Sequence, residues 1–363
     1  MNDGKGPKLN GRTAYGGLFG GARRWLFLAA LTALFSFTNS WGRELVTEYA
    51  LPAHDTYPTA IRAGLDNMIW FIQFNSNVLT RFDPESKAMD EYAIPSTKSQ
   101  SMDVSVGKDG SVWVAEQDSN VLAKFDPKTK KFSEYLLPTP QSNVYSLLAV
   151  RNGAVWMLGW NSNLLVRFDQ AKKKFAEYRI PTVNSNSYNL AEDKRGVIWF
   201  VERAGNKLAA FDPEKKKFRE WKVDEALQSA LGTVVDSAGG VWFMELIDNK
   251  LVKFDPRTEK QTQYVLPNNK GTQEITIDSK DRIWFVQSTD NRVLMFTPST
   301  GNFQAFDLPT GESKPNSISV DRKNRVWFSE PGVSSIGMLD PAVVGESKND
   351  MAVKFKPPPK IFK

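Results

Sequence analysis

Val112–Pro138 reads VWVAEQDSNVLAKFDPKTKKFSEYLLP, and variants of this phrase return along the chain at an almost constant interval. A Trp preceded by Ile or Val recurs at Trp70, Trp113, Trp156, Trp199, Trp242, Trp284 and Trp327, with spacings of 43, 43, 43, 43, 42 and 43 residues. Seven residues after each Trp stand Asn77, Asn120, Asn163, Asn206, Asn249, Asn291 and, last, Ser334. Five further on begin Phe82-Asp83-Pro84 and its six counterparts, ending with Leu339-Asp340-Pro341. Self-similarity at a fixed period of this length marks a repeat architecture.

Each unit divides into four short strands. In the quoted unit the second strand carries Trp113, the third alternates Val121, Ala123 and Phe125, and the fourth runs from Phe132 to Leu137, stopped by Pro138. The first precedes a polar turn, as Ile275-Thr276-Ile277 precedes Asp278-Ser279-Lys280-Asp281. Alternation, aromatic and β-branched enrichment, and Gly/Asn/Asp/Pro punctuation all indicate strands joined by tight turns. The Asn and Asp-Pro positions read as turn formers. Four strands in a unit of this length predict an all-β, seven-bladed β-propeller of four-stranded blades over residues 45–341. The seventh unit lacks its own fourth strand, and Val46-Thr47-Glu48-Tyr49-Ala50-Leu51-Pro52 matches that pattern. An N-terminal strand completing the last blade is therefore expected, leaving no open sheet edge. The basic, Pro-rich stretch 342–363 reads as a loose tail from about Val343.

Composition narrows the chemistry. Apolar residues make up 41% and aromatics 12% of the 363 residues, enough for a large core. There is no Cys, which excludes a disulfide framework, thiol catalysis and Cys-bearing metal sites. The single histidine, His54, leaves almost no room for histidine triads or His-rich metal sites, and beside Asp55 in a loop it reads as a solvated side chain. The net charge is +6, but residues 1–40 hold five basic side chains against Asp3 alone, so the rest is nearly neutral. The remaining Lys and Arg are interspersed with acids, as expected of turns and edge strands, and nucleic acid is not expected as a partner.

Residues 1–40 resemble an export signal. Trp25–Phe37 reads WLFLAALTALFSF directly after Arg23-Arg24, too short for a comfortable membrane crossing. It matches a basic region followed by an apolar signal core, with Thr38-Asn39-Ser40 as a cleavage candidate. The Arg23-Arg24 pair weakly resembles a twin-arginine signal, and an uncleaved anchor, the only membrane association expected, is the alternative. A location outside the cytoplasm, periplasmic or secreted, is expected either way.

In a symmetric repeat, residues present in every blade make the fold, and those that break the pattern are candidates for function. Two positions per blade are expected near the axial channel or its mouth. Three residues after each Trp stand Gln73, Glu116, Gly159, Glu202, Glu245, Gln287 and Glu330. Converging on one axis, Glu116, Glu202, Glu245 and Glu330 could hold Mg²⁺ or Ca²⁺, hard cations that take oxygen ligands. Alternatively each carboxylate accepts local hydrogen bonds. Eleven residues before each Trp stand Thr59, Met102, Tyr145, Tyr188, Leu231, Gln273 and Asn316, which vary freely. So do Phe74, Trp160 and Arg203 and their equivalents, four residues after the Trp. Tyr145, Tyr188 and Trp160 beside Arg203 form a plausible ligand surface, aromatics supplying area and Arg orientation. Packing between blades is the alternative.

The Ile/Val-Trp-Phe-x-Glu, Asn-Lys-Leu and Glu-Tyr-x-Leu-Pro phrases resemble the streptogramin B lyase (virginiamycin B lyase) family of seven-bladed propellers, over residues 45 to about 341. That resemblance implies Mg²⁺-assisted elimination opening a cyclic lactone antibiotic. The family pattern places histidines where this chain has Gln273 and Asn316, a glutamate where it has Lys314, and another at Glu330, the one catalytic position retained. Gln and Asn cannot titrate, and Lys314 would oppose a cation. The leading expectation is thus a binding module for a protein or small molecule at the channel mouth. A metal-dependent lyase or lactone hydrolase, and a structural subunit of an envelope complex, are the alternatives.

Overall fold

The computed structural model describes residues 45–97, 99–223, 230–245, 249–267, 271–343 and 353–355, without the side chains of 230, 272, 273 and 353–355. The export-signal reading of residues 1–40 lies outside them. Seven antiparallel sheets form a ring, six of four strands and one of five. Blade 2 shows the pattern. Its inner strand is Ser101–Val106, its Trp strand Val112–Glu116, its third strand Val121–Asp126 and its outer strand Lys131–Leu136. The expected closure is present. Val46–Ala50 pairs antiparallel with Ser335–Leu339, from Val46 opposite Leu339 to Ala50 opposite Ser335, as the outer strand of blade 7. Within the stretch read as a loose tail, Val353–Phe355 instead extends blade 6 as a fifth strand against Asn302–Asp307.

The repeated residues account for the ring. Successive side chains of a strand point to opposite faces of its sheet, and in a propeller both faces meet neighbouring blades. Trp113 is buried and packs at 6.3 Å from Tyr135 of its own outer strand and edge-on, at 5.6 Å, against Phe168 of blade 3. The same edge-on contact joins Trp70 to Phe125, Trp156 to Phe211 and, across the closure, Trp327 to Phe82. The Phe of each Phe-Asp-Pro phrase is therefore the floor for the preceding blade's Trp. Each such Trp supports about 3–5 kcal/mol, judged by truncation to Ala.

Polar residues staple the linkers. Asn163 takes a left-handed backbone, φ 55°. Its Nδ2 donates to the carbonyls of Ile180 (3.1 Å) and Thr182 (2.9 Å), and its Oδ1 accepts from Ser185 N (2.9 Å). The Glu of the Glu-Tyr phrase accepts from the linker leading into its blade in three blades, among them blades 2 and 3: Thr139 N and Oγ1 donate to Glu177 at 3.1 and 2.8 Å, and Ser96 Oγ donates to Glu134 at 2.9 Å. Asp126 caps its hairpin by accepting from Lys128 N at 2.9 Å. These repeated positions are structural, as their presence in nearly every blade implied.

Candidate functional site

The inner strands surround the axis, and six of the seven carry a register irregularity near their start. Between Ser101 and Asp103, Val144 and Ser146, and Tyr188 and Leu190 one residue is unpaired against the Trp strand. A bulge re-aims side chains out of the sheet faces, here toward the axis. The result is an axial cavity of about 390 Å³ to which all seven blades contribute. Six of the seven positions eleven residues before a Trp line it: Thr59, Met102, Tyr145, Tyr188, Leu231 and Asn316. The seventh, Gln273, has its side chain outside the described residues.

The lining is uneven. Blades 3 and 4 supply the aromatic side, with the Tyr145 and Trp160 rings 5.4 Å apart. Arg203 sits over Trp160, its guanidinium carbon 5.5 Å from the ring, and borders both the axial cavity and a smaller rim pocket of about 300 Å³ with Trp160, Asn186 and Ala204. Its Nε is buried without a hydrogen-bond partner, and among the described residues Arg203 forms no ion pair. Tyr188 is half-buried among these groups. Burial raises its phenol strongly; the negative charges of Glu274 and Asp103 raise it further, and Arg62 and Arg203 pull the other way.

The cavity also holds a charge triad that the sequence analysis missed. Arg62 of blade 1 donates Nη2 to Asp103 Oδ1 of blade 2 at 2.9 Å and to Glu274 Oε1 of blade 6 at 2.7 Å. Glu274 Oε2 accepts from Ser317 Oγ at 2.6 Å, and Asp103 Oδ2 accepts from Leu147 N at 3.0 Å, so the triad ties five blades together. Burial pushes the Asp103 carboxyl up to about 6; Arg62 pulls it down and Glu274 pushes it up again. One signal was available. Ten residues before the Trp, most blades carry Ala, Ser, Asn or Gly, and Asp103 and Glu274 break that pattern.

The four glutamates read as possible metal ligands lie away from the axial cavity. Glu116, Glu202, Glu245 and Glu330 are buried at the ends of their Trp strands and line neither the axial cavity nor the rim pocket. Three residues beyond a Trp, a side chain points to the opposite sheet face, toward the preceding blade. There Glu116 faces Glu134 and Ser96, Glu202 faces Glu220 and Thr182, and Glu330 faces Glu48 and Ser313. Burial, reinforced by the second carboxylate, pushes Glu116 up to about 7 and Glu330 up to about 8, and raises Glu202 likewise. Gln73 shows the same arrangement in neutral form, donating Nε2 to Glu91 Oε1 at 2.7 Å. Among the described residues no group of three or more His, Asp and Glu is placed to hold a metal ion. Nor do the residues at the lyase positions fit Mg²⁺. Lys314 is exposed beside Glu312, 3.8 Å away, and Asn316 Oδ1 is occupied by Ser329 Oγ at 2.6 Å.

Two further candidates lie apart. Phe74 packs edge-on to Tyr57 at 6.2 Å and lines neither cavity. His54 is exposed on its loop, so no histidine of this chain reaches the axis. A larger depression, about 660 Å³, lies at the hairpin turns of blades 2 and 3, between Lys108 and Gln170, and has no aromatic lining.

The fold and its axial cavity define the chain as a seven-bladed propeller with a polar, aromatic-walled central site. Its sequence matches the virginiamycin B lyase family over residues 41–217 and 216–348, and the chain belongs to that family. A solved streptogramin B lyase is similar at 25% identity and a TM-score of 0.76, covering 81% of this chain and 97% of that one. Virginiamycin B lyase from Staphylococcus aureus, at 23% identity, gives 0.75 over 81% and 98%. The extracellular domain of a protein described as a hybrid two-component system from B. thetaiotaomicron shares the fold at 16% identity and 0.65, covering 81% of this chain and 42% of that one. No curated protein matches the sequence.

Proposed function

We propose that this protein is an extracytoplasmic binding propeller that takes a small molecule in its axial cavity, not a streptogramin lyase. The observation that carries this reading is the one-sided lining. Tyr145, Tyr188 and Arg203 line the cavity from blades 3 and 4, with Trp160 of the adjoining rim pocket packed against Tyr145 and Arg203, where a packing role would favour the same residue types in every blade. Largely preformed cavities of a few hundred cubic ångströms, mixing apolar walls with a few polar groups, are the usual form of ligand sites. At the two histidine positions of the lyase family this chain has Gln273 and Asn316, which cannot take up a proton. The one position it retains, Glu330, faces Glu48 inside the wall. The extracellular setting of a related propeller domain supports the proposed location.

The test is a thermal-shift screen of small molecules that includes quinupristin, the ligand solved with a catalytically inactive virginiamycin B lyase. Ligands that raise the melting midpoint are expected to lose most of that effect in Trp160→Ala and Arg203→Met, and quinupristin is expected to be recovered intact. Hits indifferent to both substitutions would move binding away from the axis. Ring-opening of quinupristin that Glu330→Gln abolishes would establish the lyase instead.

A further inference from the structure

The axial cavity separates its charges. At its floor two carboxylates, Asp103 and Glu274, answer a single guanidinium, Arg62, leaving one negative charge in excess. At its rim Arg203 stands without an acidic partner among the described residues, its Nε buried and unpaired. Tyr188 lines the same cavity and feels the charges of Glu274, Asp103, Arg62 and Arg203. A charge held in a partly dehydrated cavity without its counter-charge is costly, and a ligand that supplies the counter-charge recovers that cost on binding. Both demands, of opposite sign, border a single cavity.

We propose that the ligand is a small zwitterion, an amino acid or short peptide with an apolar or aromatic side chain, whose ammonium faces Asp103 and Glu274 and whose carboxylate meets Arg203. This deepens the binding function proposed above and rests on it. Tyr145, Met102 and Leu231 supply the surface for the side chain. Arg203 offers its fork-shaped donor set to the carboxylate, the geometry that favours paired hydrogen bonds. Glu274 Oε2 is already filled by Ser317 Oγ and Ile318 N, so Asp103 Oδ2, which accepts only Leu147 N, is the better acceptor for an ammonium.

Isothermal titration of the purified protein with four probes tests this: L-phenylalanine, the dipeptide Phe-Phe, N-acetyl-phenylalanine and phenylalaninamide. Phenylalanine or the dipeptide is expected to bind, and blocking either charged end to weaken binding at least tenfold. Asp103→Asn should erase the penalty for N-acetylation, and Arg203→Met the penalty for amidation. The comparison among probes on the unaltered protein stands even where a variant fails to fold. Equal binding of the blocked compounds overturns the zwitterion and leaves the cavity as a ligand site. So does binding of an uncharged hit from the wider screen while phenylalanine and Phe-Phe fail. No binding by any probe, with no hit in the wider screen, removes both readings.

Discussion

Glu330→Gln is expected to stabilise the propeller at neutral and alkaline pH and to leave it unchanged in acid. Glu330 is fully buried at the end of its Trp strand, facing Glu48 and Ser313. Burial first, and the Glu48 charge second, push its carboxyl from 4.5 up to about 8. Between those values the folded state keeps a proton that the unfolded chain has released. A carboxyl raised this way contributes its full stability below the unfolded value, and the contribution is lost as pH climbs toward the folded one. At about 1.4 kcal/mol per pH unit above the unfolded value, the loss at pH 7 is on the order of 3 kcal/mol. For a propeller of this size that corresponds to roughly 5 °C in melting midpoint. The substitution copies blades 1 and 6, which carry Gln73 and Gln287 at this place, and Gln73 already donates to its outer-strand glutamate. Thermal unfolding followed by circular dichroism at pH 4.5 and pH 8 should show coincident midpoints in acid and a higher midpoint for the variant at pH 8. An equal shift at both pH values, or a lower midpoint at pH 8, would refute a protonated carboxyl at this site.

Asn163→Ala removes the clamp on Ile180, Thr182 and Ser185 and leaves a Cβ-bearing residue at φ 55°, for an expected loss of about 2–4 kcal/mol. Asn163→Gly, free of the backbone penalty, should lose less, and equal melting midpoints for the two would discount the backbone contribution. Arg62→Met leaves Asp103 and Glu274 without their cation and should cost about 3–5 kcal/mol at pH 7.5. Asp103 already stands at about 6, so part of that loss should return at pH 5, where it takes up a proton; urea titrations at the two pH values read this directly. Deleting the chain through Ala50 strips blade 7 of its outer strand and should give aggregated protein on size exclusion, whereas deletion through 43 should leave a monomeric propeller.

Blade number, strand number and closure were legible because the same physical demand recurs seven times. A Trp that needs an aromatic partner from the next blade forces Phe125, Phe168 and Phe211 to keep one spacing from it. An Asn that must fold a linker back forces its own spacing to the Pro and Ser that follow. The added strand Val353–Phe355 was not legible, because it belongs to no repeat and follows a break in the pattern.

The site was legible only in part, and parity explains the division. The position eleven before each Trp stands near the start of the inner strand, at or next to a register irregularity in six blades, and six of the seven side chains line the axial cavity. The position three after each Trp sits in regular pairing, where alternation sends Glu116 and Glu330 into the wall between blades. Counting residues from a landmark cannot separate these cases without the register, and carboxylates at one height of a ring look convergent in a string of letters. Arg62, Asp103 and Glu274 belong to three different blades and to two different offsets from the Trp, so no single column of the repeat displays them. What distinguishes them is charge on a strand where other blades place small or apolar residues. In a closed ring the inner strand is the element nearest the axis, and a charge there must find an opposite charge from another blade or from a ligand. The triad satisfies Arg62 by the first route and leaves one carboxylate in surplus, while Arg203, just past the Trp strand of blade 4, forms no ion pair among the described residues.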